Sequence, residues 1–352
     1  MSEVIELRKF SQIDLNDTFF DSLKEDYPGF EDWFVRKSEE SVYVQYSSTN
    51  ELQAFLYIKN NFENHPENVE PELGEAKWMK VGTFKIKGHN TRLGERFVKI
   101  ITDQAIYRAA DCIYLTIFPK HENLLSLLNR YGFADKGTKG DEKVLVKDMR
   151  VLTGNMLKDY PLIDMNNTDK YVLSVYPKYH TRLFPDSILR SEENVRDELI
   201  RDVSFTNSIH KIYISFIQDT AKLKQGDLVA IYRTNDGLGY ARYRSVISSI
   251  CSVEEVKTKN SFNNIEEFLE YTKTYSVFSE EELKKWYLNP NIVVIKMIYN
   301  IALNKRVTRG FLIDNVNIPQ EIYWGFFKLN DSQFKAILEK GEVDENIIIN
   351  KA

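Results

Sequence analysis

Between Phe84 and Ile101 the chain reads FKIKGHNTRLGERFVKII, an extended run that passes through a polar turn into an amphipathic repeat. Gly94 falls at the start of the repeat, beside Arg92 and Arg96. A helix N-terminus presents unpaired N–H groups and a partial positive charge. A glycine there lets the backbone approach a ligand closely, and arginine adds charge-assisted bonds. Recognition of a phosphate or pyrophosphate is therefore the chemistry that suits Arg92, Leu93, Gly94, Glu95 and Arg96. Taken alone, the same turn also fits an ordinary strand–helix corner with solvated arginines. A second cluster spans residues 222–244. Lys222, Lys224, Arg233, Arg242 and Arg244 stand against Asp227 and Asp236, with Tyr232, Tyr240 and Tyr243 interleaved. Aromatic faces stack on unpaired bases while cations hold phosphates, so this mixture suits single-stranded or flipped nucleic acid. It equally fits two solvated strand faces. NKRVTRG adds Lys305, Arg306 and Arg309. YPKYHTRLFPD sets Tyr179, His180, Arg182 and Phe184 between Pro177 and Pro185 and reads as a loop over a pocket or a docking loop.

The elements around the first cluster follow from periodicity. VIELRKF reads as a strand; DTFFDSLKEDY reads as a helix with Asp17 or Thr18 as cap, broken by Pro28-Gly29; FEDWFVRKSEE restarts a helix. SVYVQYSS and LQAFLYIKN flank a hairpin turn, and NFENHPENVEPELGE is a polar excursion. AKWMKVGTFKI is a long strand, followed by an amphipathic helix with Leu93, Phe97, Ile100, Ile101, Ala105 and Ile106 on one side. CIYLTIF is a buried strand, KHENLLSLLNRY a short helix, and FADKGTKG with EKVLVKDM close as two strands. The order β-α-α-β-β-β-α-β-α-β-β defines a mixed α/β domain over residues 1–150. Residues 151–169 read as a connector. Residues 170–352 alternate short strands with helices, among them EENVRDELI, SFNNIEEFLEYTK and SEEELKKWYL, and suggest a small β-barrel with helical insertions.

Bulk properties narrow the function classes. The chain has 352 residues, 43% hydrophobic and 28% charged, with net charge −5. Residues 1–169 carry 22 basic and 28 acidic residues, or −6, which makes that half a poor nucleic-acid binder; the remaining 25 and 24 give +1. Cys112 and Cys251 sit in apolar segments, so no disulfide framework is expected and a cytoplasmic location is. MSEVIELRKF has no signal-peptide pattern, no apolar run reaches membrane-spanning length, and the five histidines have no zinc spacing. No Gly-x-Ser-x-Gly occurs, so serine hydrolase chemistry has no support.

The run of elements over residues 3–149, with WMKVGTFKI, HNTRLGERF, CIYLTIF and HENLLSLLNRYGF, resembles the GNAT acetyltransferase superfamily. Where that family has Gln/Arg-x-x-Gly-x-Gly/Ala, this chain has His89-Asn90-Thr91-Arg92-Leu93-Gly94, which keeps only the last glycine. The resemblance implies acetyl-CoA as cofactor and an amine as acceptor. It places the pyrophosphate on Arg92–Arg96 and the pantetheine along Phe84 and Ile86. His121 stands at the family's asparagine position, and Leu128 at the position of the tyrosine that protonates the leaving thiolate. Tyr131 is then the candidate acid, with Tyr114 as another; Glu122 is the candidate base, with Glu51 and Glu75 equally available. Positioning and a backbone N–H of the fourth strand can carry much of the catalysis.

IHKIYISFIQDTAKLKQGDLVAIYRTND resembles the ASCH and EVE branch of PUA-like domains, through Leu223-Lys224-Gln225-Gly226-Asp227 and the strand ending Tyr232-Arg233. That resemblance implies RNA or a modified base as ligand, bound by Lys224, Tyr232, Arg233, Arg242 and Arg244. The sequence expectation is therefore an acetyl-CoA-dependent N-acetyltransferase with a PUA-like RNA-binding module. The alternative is a non-catalytic nucleic-acid or modified-base binder with a degenerate acyl-CoA domain. No metal and no membrane partner is expected.

Overall fold

The computed structural model describes residues 5–87, 92–166, 168–187 and 208–349. The chain divides into two compact units, Met1–Arg150 and Val151–Ala352. The expected helix EENVRDELI lies outside the described residues, as do Gly88, His89, Asn90 and Thr91 of the phosphate-loop sequence.

The first unit comprises β1 (Ile5–Lys9), α1 (Asp21–Asp26), α2 (Phe30–Arg36), β2 (Ser41–Tyr46), β3 (Leu52–Ile58), β4 (Trp78–Ile86), α3 (Leu93–Tyr107), β5 (Cys112–Ile117), α4 (Glu122–Arg130), β6 (Ala134–Lys139) and β7 (Glu142–Asp148). These elements follow the order read from the sequence. They build one seven-stranded sheet, β1-β2-β3-β4-β5-β7-β6, in which only the β4–β5 pair is parallel. Asp17 caps the first helical turn by accepting the Phe19 N–H at 2.8 Å. α1 and α2 close one face with aromatic rings. Phe10 meets Phe34 edge-on at 4.9 Å and Phe20 meets Phe55 at 5.2 Å; such pairings add to the area these rings bury. α3 covers the opposite face with Phe97, Val98, Ile101 and Ala105, all buried. The Phe97 ring lies 5.9 Å from that of Phe84 on β4.

The second unit has a six-stranded sheet, β10 (His210–Ser215), β13 (Val293–Thr308), β12 (Val246–Thr258), β11 (Leu228–Arg233), β9 (Lys170–Val175) and β14 (Phe326–Leu329) in that spatial order. Only β9–β11 is parallel. The expected small barrel is not closed. Closure needs a ladder between the two edge strands, and among the described residues none joins β10 to β14. The β10 edge is met instead by Tyr275, whose carbonyl accepts the Ile212 N–H at 2.9 Å. The expected helical insertion lies between β12 and β13 as Ile265–Lys273 and Glu280–Tyr287. Asn264 caps the first helix, and Ser279 with Glu282 forms the reciprocal capping box of the second.

Residues 151–169 group with this second unit, where β8 (Ile163–Asp164) pairs with β15 (Ile348–Ile349). YPKYHTRLFPD, read as a loop, contains the helix Pro177–Leu183. Its signal was Pro177 itself: proline is pre-organised for the first helical position, where its missing N–H costs nothing. No helix among the described residues is long and apolar enough to cross a membrane.

Candidate active-site cleft

Strands β4 and β5 pair for only three residues, Trp78–Lys80 with Cys112–Tyr114, and then part. Past Lys80, β4 keeps its ladder to β3, while its other edge has no strand partner among the described residues. The gap opens into a cleft of about 1260 Å³. Val81–Ile86 form one wall and Leu115, Thr116 and Ile117 the other; α1, α2 and the start of α4 complete it. An open strand edge offers N–H and C=O groups to an extended ligand that carries amides of its own.

A bulge sets which side chains face this cleft. Tyr57 pairs with Thr83 but Ile58 pairs with Val81, so Gly82 is an extra residue on β4. Such an insertion resets the alternation of faces. The Lys59 N–H donates to the Lys80 carbonyl at 2.9 Å. Tyr57, Lys59, Lys80, Thr83 and Lys85 consequently share the α1–α2 face of the sheet, and all five line the cleft. A Cβ at residue 82 would lie 2.6 Å from Cδ1 of Tyr57, so only glycine lets that ring lie over the bulge.

The polar groups of the cleft are largely tied down. The Tyr57 hydroxyl donates to Glu40 at 2.5 Å and that of Tyr27 to Glu142 at 2.6 Å. Burial first, and these carboxylates second, raise both phenols well above the ordinary tyrosine value. Lys85 donates to the Phe19 carbonyl and, at 2.6 Å, to Ser22 Oγ, which fastens β4 to α1. Asp26 receives Lys120 and, at 3.2 Å, His121 Nε2. Burial alone would raise Asp26, but these two partners outweigh it and hold the carboxyl below its usual range. Glu40 and Glu63 lie below their usual range for the same reason, through Lys37 and Lys59.

Among the residues expected to bind coenzyme A or act on the acyl group, Phe84, Ile86, Gly94, His121 and Glu122 line the cleft. Arg92, Leu93, Glu95 and Arg96 form the first turn of α3 but are not part of that lining. Glu95 and Arg96 are buried, and Arg130 of α4 lies 3.6 Å from Glu95. Gly94 has a packing role as well, since its Cβ would stand 2.5 Å from Cδ2 of Leu127 on α4. Tyr131 is fully buried outside the lining, and its carbonyl accepts the Lys147 amine at 2.9 Å. Glu51 and Glu75 are exposed and also lie outside the cleft. Sequence reasoning missed Tyr57, Tyr27 and Lys80. Tyr57 and Tyr27 meet acids 17 and 115 residues away, a distance over which no local pattern speaks.

In the second unit, the residues expected to bind nucleic acid separate. β11 is central, and Tyr232 and Arg233 are 2% and 1% exposed. Arg242 pairs with Asp314, and Arg244 pairs with Asp236 through two nitrogens, one at 2.6 Å. Lys224 is exposed before β11, at the opposite end of the strand from Arg233. His180 is fully buried, with Nε2 2.6 Å from Ser248 Oγ. Burial, then the charges of Arg233 and Arg306, push this imidazole down to about 3. Cys112 and Cys251 are buried free thiols, and burial pushes Cys112 up to about 12. The described residues hold no cluster of His, Cys, Asp and Glu fit for a metal ion.

No family model and no curated protein matches the sequence. Among solved structures, the chain is similar to a GNAT-family acetyltransferase from Listeria monocytogenes, at 16% identity and TM-score 0.29, covering 41% of this chain and 94% of that one. It is similar to the PaiA N-acetyltransferase of Thermoplasma acidophilum in complex with coenzyme A, at 12% identity and TM-score 0.30, covering 41% and 99%. It is also similar to an ASCH protein from Zymomonas mobilis, at 8% identity and TM-score 0.31, covering 48% and 94%.

Proposed function

We propose that the first unit is an acetyl-CoA-dependent N-acetyltransferase acting on an amine. One observation carries the reading: the parting of β4 from β5 leaves the Val81–Ile86 edge open along a cleft that reaches Gly94, at the start of α3. The residues present fit such a cofactor. Backbone groups around Phe84 and Ile86 suit the pantetheine amides, and the first turn of α3 suits the pyrophosphate. When bound, acetyl-CoA supplies an acyl group activated as a thioester. The transfer forms one N–C bond, breaks one C–S bond and passes the amine's proton to the departing sulfur.

The chain's own part is mainly positional. Asp26, Glu40 and Glu63, which bond to cleft-lining residues without lining the cleft themselves, are held below their ordinary range, so none of these three is poised near neutrality as a base. Glu122 lines the cleft at the first turn of α4, which keeps it as the candidate to receive a proton. Holding amine and thioester in line, with β4 backbone N–H groups at the carbonyl, supplies the remaining acceleration. Calorimetric titration of the full chain with acetyl-CoA should give saturable heat and a raised melting temperature. The absence of both heat and a thermal shift would overturn the reading.

For residues 170–352, within the second unit, we propose single-stranded RNA or a modified base as ligand. Tyr240 and Tyr243, 82% and 67% exposed, support it as stacking faces, with Lys224 as an unburied cation. In the alternative reading the first unit binds its cofactor without turnover. Leu128 at the tyrosine position and the burial of Tyr131 favour that alternative; acetylation of any amine excludes it.

A further inference from the structure

Three lysines share the α1–α2 face of the cleft, and they differ in what holds them. Lys59 is ion-paired to Glu63 at 2.7 Å. Lys85 is tied to Ser22 and to the Phe19 carbonyl. Lys80 is half-buried and has no hydrogen-bond or ion-pair partner among the described residues. Its closest support is the Tyr114 ring, 5.5 Å from Nζ. The nearby carboxylate, Glu63, is already engaged by Lys59 and by the Tyr114 hydroxyl. An ammonium taken partly out of water without an acceptor is costly, and an anion in the cleft removes that cost.

We infer that the acceptor amine carries an anionic group, a carboxylate or a phosphate, which seats against Lys80. The inference rests on the acetyltransferase reading for the word acceptor, and on the cleft geometry for the anion. Burial pushes the Lys80 ammonium below the ordinary lysine value, with Glu63 offsetting it only in part, as expected of a cation awaiting a counter-charge. The cofactor's own phosphates do not serve here. They belong by Gly94, which lies beside Ile86, and with Gly82 as an extra residue about five ladder steps separate Ile86 from Lys80, roughly 17 Å. The acceptor's remaining surface would lie against Tyr57 and Trp33, which line the same region. The Gly82 bulge is what brings Lys80 onto this face; an unbroken strand would put residues 80 and 83 on opposite sides.

Matched amines test the idea with the full chain and acetyl-CoA: 4-aminobutyrate against 4-aminobutanamide, and phosphoethanolamine against ethanolamine. The anionic member of at least one pair should show kcat/KM higher by about tenfold. Which pair responds distinguishes carboxylate from phosphate. Lys80→Met should erase the preference through KM with kcat little changed, and Lys80→Arg should retain most of it. Preference for the neutral amines, or a ratio unaltered in K80M, overturns the inference. A second arm omits acetyl-CoA. Glutarate and inorganic phosphate are titrated calorimetrically into the wild type, K80M and K80R, with circular dichroism confirming the fold of each. Binding weakened about tenfold in K80M but kept in K80R supports the site, and equal binding in all three overturns it. This arm decides if no amine turns over. Loss of acetyl-CoA binding with Lys80-dependent anion binding intact would sink the acetyltransferase reading and leave the anion site standing.

Discussion

The two units handle similar residue types in opposite ways. In the first, lysines and tyrosines scattered through the sequence converge on an open cleft, because β4 and β5 part and a bulge turns Lys80 to the same face as Tyr57. In the second, arginines and tyrosines clustered in the sequence are dispersed. Arg233 and Tyr232 go into the core, and Arg242 and Arg244 are matched by acids. Local density of charge and aromatics therefore does not mark a site by itself. What marks one is a place where the sheet leaves backbone and side chains unmatched.

The largest effect that separates the two regions is acid sensitivity of the second unit's core. An unfolded histidine takes a proton near pH 6.5, whereas buried His180 does so only at about 3. Between those values the unfolded chain holds more protons. This contribution to stability is complete above about pH 6.5 and falls as the pH drops towards 3, by about 1.4 kcal/mol per pH unit. His180→Gln should flatten that slope in chemical unfolding curves of the full chain. Parallel pH profiles for wild type and variant would mean that His180 is not the buried neutral group the geometry indicates.

Next in size is the bulge. Gly82→Val puts a side chain where the Tyr57 ring lies, and that ring is held by Trp33 and Phe10 and by its bond to Glu40. Overpacking of this kind costs about 1–3 kcal/mol. Because the bulge also shapes the cleft wall, acetyl-CoA affinity should fall with the melting temperature. A variant that loses stability yet binds acetyl-CoA normally would detach the bulge from the site.

Much of the first unit was legible in the sequence, since its strands and helices carry clean period-2 and period-3.6 patterns and typical breakers. The cleft was legible only in part. Gly94, Phe84 and Ile86 stand in a recognisable strand–turn–helix, whereas the Gly82 bulge depends on the register between β3 and β4, which no local pattern encodes. In the second unit the informative signal is the strand itself rather than the charges around it. LVAIYR is apolar almost throughout rather than alternating, and an unbroken apolar run indicates a strand covered on both faces. It points to burial of Tyr232 and, at its end, Arg233, rather than to their display for a base.

The smallest effect concerns Arg242 and Arg244. Both pairs are at least partly exposed, so replacing each arginine by alanine should leave the unfolding midpoint of the full chain little changed. Their acids already balance them, which leaves Lys224 and the exposed tyrosines as the groups free to meet a nucleic acid. The double variant should accordingly keep the wild-type affinity for a single-stranded RNA, with an unchanged dependence on salt. Removing one lysine or arginine that neutralises a phosphate lowers the slope of log affinity against log salt by about 1. A slope that falls by about 2 in the double variant would mean that RNA displaces Asp236 and Asp314 from their arginines. The contrast between an open first-unit cleft and a matched second-unit surface would then hold only for the free protein.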